Sequence, residues 1–245
     1  MKQRFSSLDV RAMVTSLQET IVGYRCANVY DINAKMYVLK LQKPDSKLLL
    51  LIEAGVRFHL TNYARDRGQT PSGMTVKLRK HLRSRRVEKI EQPGTDRVVV
   101  LTLGSGPCEH RLIIELYDKG NLILTDADNQ ILTLLRNSKH DSESRITVKD
   151  RYPLAASQQQ PELSTEWLVN KMQAADGGAP LRTVLLRVVP VGKDLVDHAL
   201  LASGLSANTK MSSEPWLNEL AIGRLLAALQ WAQHYFEETA ERPTG

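Results

Sequence analysis

The chain has 245 residues, of which 42% are hydrophobic and 24% charged, and its 33 Lys and Arg outnumber 27 Asp and Glu. This composition supports folded domains with real cores and excludes global disorder. Apolar runs reach only five residues, as at residues 48–52, far fewer than the roughly 20 residues of a membrane span. The N-terminal residues contain no apolar signal core, so secretion is not expected. The two cysteines, Cys26 and Cys108, are too few for a disulfide framework or a zinc site and predict small core thiols in a reduced, intracellular protein.

Hydrophobic periodicity divides the first part of the chain into a helix, a group of short strands, a second helix and further strands. Ser6 or Ser7 is a suitable cap for a first helix that carries Asp9 in its first turn and ends before Gly23. The second helix is predicted over residues 72–86. Strands are predicted at residues 29–32, 36–41, 47–53, 56–61, 87–91, 97–103, 111–117, 121–125 and 130–135. Hairpin-type turns join the last of these strands, which indicates an antiparallel meander.

The composition becomes polar between residues 137 and 160, and a helical period follows. Helices are predicted at residues 166–175, 181–189, 193–203 and 215–240. The fold class is therefore α+β, with a β-rich lobe over residues 1–155 and a helical lobe over residues 156–245. The three tryptophans, Trp167, Trp216 and Trp231, all fall in the helical lobe and are predicted to be core residues.

The turn at residues 190–192 separates two of the predicted helices and contains Gly192. The glycine leaves backbone amides accessible to a phosphate group, as at other helix N-termini. Simple packing of the two helices is an equally good interpretation of the same residues.

The strongest charge feature is a run of cations without any acid between residues 77 and 86. Leu78 and Leu82 are spaced to share one buried helix face, which leaves the charges on the remainder. The cations are Lys77, Arg79, Lys80, Arg83, Arg85 and Arg86. Such a run of like charges favours an anionic partner. A lipid-binding helix favours bulky aromatic residues and a single-strand reader stacks bases on them, but this run has none. Contact with the backbone of structured RNA therefore fits best. A solvated amphipathic helix is the alternative interpretation.

Catalytic and cofactor motifs are absent from the sequence. The six histidines show no metal-ligand spacing, and no phosphate-binding loop, dinucleotide fingerprint or nucleophile elbow is present. These residues therefore predict no catalytic centre and no metal or cofactor site.

Several motifs resemble the N-terminal NFACT-N domain of the NEMF family, whose relatives include RqcH and fibronectin-binding-like proteins. The resemblance is strong over about residues 1–155 and weaker over the helical lobe. It rests on KQRFSSLDVRA at residues 2–12, NVYD at 28–31, KLQKP at 40–44, RKHL and SRR at 79–86, DRVV at 96–99, LIIELYD at 112–118, GN at 120–121, LTD at 124–126 and RYPL at 151–154. Members of this family are much longer, so we expect this chain to be an N-terminal fragment.

The resemblance implies a role in ribosome-associated quality control. Members bind the large ribosomal subunit that carries stalled peptidyl-tRNA, support recruitment of the ubiquitin ligase Listerin, and bring aminoacyl-tRNA for untemplated C-terminal tailing with alanine and, in fungi, threonine. The ribosome performs the peptidyl transfer. The resemblance also implies a cytoplasmic protein, with the nucleus left open as a second compartment, and no membrane partner.

The same resemblance assigns tRNA recognition to Asp9, Asp96 and Arg97, which match acidic and Asp-Arg positions of the family. Arg97 offers a planar fork for a phosphate or carboxylate, and the aspartates are acceptors for ribose or an aminoacyl group. A structural ion-pair cluster is the competing interpretation of these three residues.

Two other functions remain as alternatives. The family's N-terminal domain resembles the two-lobed fold of formamidopyrimidine-DNA glycosylases, which implies a β-rich lobe and a helix-two-turn-helix-like helical lobe. This likeness makes a DNA-repair enzyme the second hypothesis. Those enzymes use an N-terminal proline and a neighbouring glutamate, whereas this chain has Lys2 and Gln3, so base-excision chemistry is not expected. An extracellular-matrix adhesin is the third hypothesis, against which the missing signal peptide counts.

Overall fold

The computed structural model describes residues 4–63, 70–139, 145–154, 161–210 and 218–239. The chain forms two compact units. Unit 1 comprises residues 1–5, 13–93 and 97–155. Unit 2 comprises residues 6–12, 94–96 and 156–245, so two short segments from the first half of the sequence belong to the helical unit.

Unit 1 begins with most of helix α1 (Ser7–Ile21) and a four-stranded antiparallel sheet. Val14, Leu17 and Ile21 of the helix are buried at helical spacing. The strands of this first sheet pair in sequence order: β1 (Arg25–Asp31), β2 (Met36–Lys43), β3 (Ser46–Glu53) and β4 (Arg57–Leu60). The predicted strands are present, and β1 begins earlier than predicted.

Helix α2 (Gly73–Leu82) follows the first sheet, and a five-stranded antiparallel meander follows the helix. The five strands also pair in sequence order: β5 (Val87–Glu91), β6 (Val98–Leu103), β7 (His110–Glu115), β8 (Asn121–Asp126) and β9 (Ile131–Leu134). A 3₁₀ turn, Gly106–Cys108, precedes β7, and a short pair of strands, β10 (Ser138–Lys139) and β11 (Arg145–Ile146), completes the unit. The meander was predicted correctly because alternation and hairpin turns are local signals.

Helix α2 ends four residues earlier than the sequence predicts. Ser84 has a left-handed φ of 65°, which is incompatible with a continuing helix. The amide of Ser84 donates to the carbonyl of Cys26 at 2.8 Å, and the amide of Cys26 donates to the carbonyl of Arg85 at 2.8 Å. Residues 84–86 therefore pair with β1, and this non-local backbone pairing replaces the last helical turn.

Unit 2 is helical after residue 161, as predicted. Its helices are α3 (Thr165–Gln173), α4 (Leu181–Val188), α5 (Lys193–Ser203) and α6 (Glu219–Glu238). The core contains fully buried Leu168, Leu185, Leu229 and Phe236. Asn218 caps α6 by accepting a hydrogen bond from the amide of Leu220 at 2.9 Å, and the predicted residues 215–217 and 240 of that helix lie outside the described residues.

Trp231 is not a core residue, contrary to the sequence prediction. Its side chain is 47% exposed on α6. The indole ring stacks on Tyr235, with ring centroids 5.1 Å apart, and lies 4.9 Å from the ring of His198. Trp167 is half-buried against the core, and Trp216 lies outside the described residues. Cys26 is fully buried as predicted, whereas Cys108 is only half-buried.

Candidate nucleic-acid interface

The first turn of α2 is fixed to the end of β1 by polar contacts. The hydroxyl of Ser72 accepts a hydrogen bond from the amide of Thr75 and so caps the helix. Asp31 accepts hydrogen bonds from the amide of Ser72 at 3.1 Å and from the hydroxyl of Thr75 at 2.8 Å. Burial works to raise the pKa of Asp31, but these hydrogen bonds lower it on balance. The helix start is thus anchored independently of its charged residues.

The apolar face of α2 lies inward as the sequence predicts. Leu78 and Leu82 are fully buried, whereas Lys77 and Lys80 are exposed. The helix therefore presents these two lysines to solvent.

Arg79 has a structural partner on β1. Its Nε donates to the carbonyl of Val29 at 2.8 Å, and its guanidinium carbon lies 5.5 Å from the ring centroid of Tyr30. Arg79 is half-buried, and at least one of its N–H donors bonds within the protein. Of the six predicted RNA-backbone residues, this one has the clearest structural role.

The last three predicted cations follow the helix rather than continuing it. Arg83 and Arg86 are exposed, and Arg85 is half-buried. Arg25, the first residue of β1, forms an antiparallel backbone bridge with Arg86. Its Nη1 donates to the carbonyl of Ser84 at 2.9 Å. Arg86 forms a long contact of 3.8 Å with Glu88. The pairing adds Arg25 to the cations recognised in the sequence.

A second added cation comes from the end of β2. A Cβ atom placed on Gly23 would lie 3.4 Å from Nζ of Lys43 and 3.9 Å from Nε of Arg86. The ammonium of Lys43 also lies 4.4 Å from the ring centroid of Tyr24. Lys43, at the end of β2, and Arg86, directly before β5, thus both lie close to this glycine.

We call the exposed positive charges of unit 1 around α2 and β1 the cationic cluster. Its members are Arg25, Lys43, Lys77, Lys80, Arg83 and Arg86. Several exposed charges of one sign create a potential that attracts a polyanion and is screened by salt.

His81 contacts a second histidine beside this cluster. Nδ1 of His81 lies 3.0 Å from Nε2 of His110, and Nδ1 of His110 lies 3.0 Å from the carbonyl oxygen of Cys108. Burial, together with the positive charges of His110, Lys80 and Arg85, lowers the pKa of His81. The lowered pKa disfavours a positive charge on His81 beside the cationic cluster.

Asp9 caps the start of α1. Its carboxylate accepts hydrogen bonds from the amide of Ser6 at 2.7 Å and from the hydroxyl of Ser6 at 2.9 Å. The amide of Asp9 donates back to that hydroxyl at 3.3 Å, which completes a reciprocal cap. Asp9 therefore has a local structural role beside any role in binding.

Asp9 and Asp96 belong to the same unit although 87 positions separate them in the sequence. Asp96 is exposed in the turn before β6. Arg97 comes next in the chain and is counted with unit 1, where its carbonyl accepts a hydrogen bond from the amide of Leu116 at 2.8 Å. The structure thus brings the two aspartates into one unit and places Arg97 directly before strand β6.

Gly192 packs tightly at the N-terminus of α5. Its φ is +84°, and a Cβ at this position would lie 2.8 Å from Cβ of Ser7. The structure therefore gives this glycine a packing role in unit 2.

Within the part of the chain that the structure describes, no group of three or more His, Cys, Asp or Glu side chains is arranged to hold a metal ion. None of the helices in the described ranges is both long and apolar enough to cross a membrane.

Fold and site together define the class: an α+β protein of two units with a cationic cluster suited to a polyanion and two aspartates in a separate, helical unit. A family model described as "NFACT N-terminal and middle domains" matches residues 6–244. The chain therefore belongs to the NFACT family.

Individual relatives agree with this family. The human protein "Ribosome quality control complex subunit NEMF" is 40% identical over 242 residues, which is 98% of this chain and 22% of the human protein. The Saccharomyces cerevisiae protein "Ribosome quality control complex subunit 2" is 41% identical over 138 residues, which is 56% of this chain and 13% of the yeast protein. The chain thus spans less than a quarter of the length of either relative.

Solved structures show the same fold. The fibrinogen-binding protein of Staphylococcus aureus aligns with a TM-score of 0.66 and 16% identity, over 95% of this chain and 82% of that structure. The N-terminal domain of the fibronectin-binding protein PavA of Streptococcus pneumoniae aligns with a TM-score of 0.61 and 22% identity, over 79% of this chain and 81% of that structure. The predicted α+β class and the family resemblance are confirmed.

Proposed function

We propose that this chain is the tRNA- and large-subunit-binding module of a ribosome quality control factor. The strongest support is the 40% identity to human NEMF over 98% of the chain, because that relative is a subunit of the ribosome quality control complex. The module binds and positions RNA, and the ribosome carries out peptidyl transfer.

The proposal assigns separate tasks to the two groups of residues. The cationic cluster contacts RNA backbone, because exposed Lys and Arg neutralise phosphates without regard to sequence. Asp9, Asp96 and Arg97 recognise tRNA. The aspartates accept hydrogen bonds from ribose or an aminoacyl group, and the guanidinium of Arg97 binds a phosphate or carboxylate.

In the complete factor, this module engages the large subunit that carries stalled peptidyl-tRNA and recruits aminoacyl-tRNA for alanine tailing, with threonine in fungi. It supports recruitment of the ubiquitin ligase Listerin through the complete factor. The proposed location is the cytoplasm, with the nucleus as a second compartment.

The test replaces Asp96 and Arg97 together by alanine. Binding of a fluorescent alanine-tRNA transcript by this chain is measured by anisotropy, and tail synthesis is measured with the same changes in the complete factor. We expect tRNA binding and tail synthesis to fail while the melting temperature and large-subunit binding stay close to those of the parent protein. A drop of many degrees in melting temperature, with all binding lost together, would instead assign these residues to a structural cluster.

A further inference from the structure

Two side chains of α1 hold the turn that carries Asp96. The hydroxyl of Ser7 donates to the carbonyl of Thr95, and Nη2 of Arg11 donates to the carbonyl of Gly94 at 2.8 Å. Ser7 and Arg11 are one helical turn apart, so they lie on the same side of α1. The helix thereby binds two consecutive carbonyls immediately before Asp96, across more than eighty residues of sequence.

Arg11 is itself held by the last helix. Its guanidinium carbon lies 4.5 Å from the ring centroid of Phe236, which is fully buried in α6. The ring face attracts the cation and fixes the plane of the guanidinium. Burial lowers the pKa of Arg11, but an arginine keeps its charge under all ordinary conditions.

Ser7 is held by the start of α5. A side chain at Gly192 would collide with Cβ of Ser7 at 2.8 Å, so the close approach depends on this glycine. Helices α5 and α6 therefore each support one of the two residues that bind the turn.

We propose that Arg11 is a positioning residue for tRNA recognition, which transmits the packing of the C-terminal helices to the turn that carries Asp96. The C-terminal helices are then needed for the tRNA site even if none of their residues touches tRNA. This inference rests on the proposed function of Asp96.

The main test compares three single variants of the 245-residue chain with a fluorescent alanine-tRNA transcript as the probe. R11M removes the donor and the charge while keeping an apolar stem. R11K keeps a cation over Phe236 and an N–H donor for the carbonyl of Gly94. R182M is the stability control, because it breaks the ion pair of Arg182 with Asp197, in which Nη2 lies 3.0 Å from Oδ2, between α4 and α5.

We expect R11M to raise the Kd for tRNA about tenfold, the usual scale for one charge-assisted hydrogen bond. R11K should recover most of the affinity, and R182M should bind tRNA like the parent protein. All proteins are compared at a temperature where each is fully folded by circular dichroism. If R11M does not fold, F236L replaces it, since leucine fills the core position but lacks the ring beneath the guanidinium, and the same loss is expected.

Two results would overturn the inference: unchanged tRNA affinity in R11M, or an equal loss in R11M and R182M. Both are distinguishable from failure of the proposed function. If the proposed function is wrong, the double replacement of Asp96 and Arg97 by alanine leaves tRNA binding intact. The positioning role of Arg11 is then wrong as well.

Discussion

The two imidazole rings of His81 and His110 share a hydrogen bond, with Nδ1 of the first 3.0 Å from Nε2 of the second. The carbonyl of Cys108 can only accept, so Nδ1 of His110 carries a proton and its Nε2 is the acceptor when the ring is neutral. Nδ1 of His81 is then the donor. If both rings become positively charged, two like charges are in contact, beside Lys80 and Arg85.

This relationship predicts an acid-sensitive step in stability. Because the folded state lowers the pKa of His81, the unfolded chain takes up the proton first as the pH falls. The contribution of His81 to the free energy of unfolding should be constant above about pH 6.5, the ordinary pKa of histidine, and should decrease below that pH.

The measurement is urea unfolding at several values between about pH 7.5 and pH 5.5. His81→Gln retains an N–H donor for Nε2 of His110 and removes the titrating ring. We expect its unfolding midpoint to fall less steeply with pH than that of the parent protein. Parallel pH profiles for the two proteins would contradict this account of the histidine pair.

The cationic cluster predicts a change in the salt dependence of RNA binding. The variant replaces four of its exposed cations by glutamine: Lys77, Lys80, Arg83 and Arg86. Each lost phosphate contact lowers the slope of log K against log salt concentration by about one, so affinity and slope should fall together. Arg79 is left in place because its bond to Val29 supports the fold.

The matched control for this experiment has the same change in net charge. It replaces two exposed lysines and two exposed arginines outside the cluster by glutamine: Lys149, Lys171, Arg187 and Arg224. We expect the control to retain the parent slope. Equal slopes for all three proteins would show that the cluster is merely solvated.

The close packing around Gly120 predicts a large loss of stability when a single methyl group is added there. Its φ is +70°, and a Cβ at this position would lie 1.8 Å from the backbone nitrogen of Gly55. Because neither backbone segment is a flexible side chain, Gly120→Ala should destabilise the protein by roughly 3 kcal/mol or more. Gly73→Ala is the control, since that position has open space around it and needs no unusual φ. A melting temperature of Gly120→Ala equal to that of Gly73→Ala would contradict the close approach of the two turns.

The exposure of Trp231 predicts a small cost for its removal. Trp231→Ala should destabilise the protein by less than about 2 kcal/mol, because its ring leaves no cavity in the core. Leu229→Ala, two residues away on the same helix but fully buried, should cost about 2–5 kcal/mol. Chemical denaturation measures the free energy of unfolding of both variants. A larger loss for Trp231→Ala than for Leu229→Ala would show that Trp231 is a core residue after all.

Local signals determined most elements of this protein. The inward side of α2 follows from Leu78 and Leu82, because residues four apart share a helix face whatever surrounds them. The order of the meander follows from alternating strands and hairpin turns, which act within a few residues. The motifs of the NFACT family are also local in sequence, so they indicate the family without the tertiary structure.

The tertiary structure decided the features that depend on distant neighbours. Helix α2 stops at Leu82 because residues 84–86 pair with β1, and nothing within the run of cations encodes that pairing. Trp231 is exposed because the neighbouring helices cover only part of a broad apolar face, so periodicity alone cannot separate covered from uncovered positions. Asp9 and Asp96 share a unit because Ser7 and Arg11 bind carbonyls more than eighty residues further along the chain. Hydrogen bonds of that range depend on how the whole chain folds, and no local pattern specifies them.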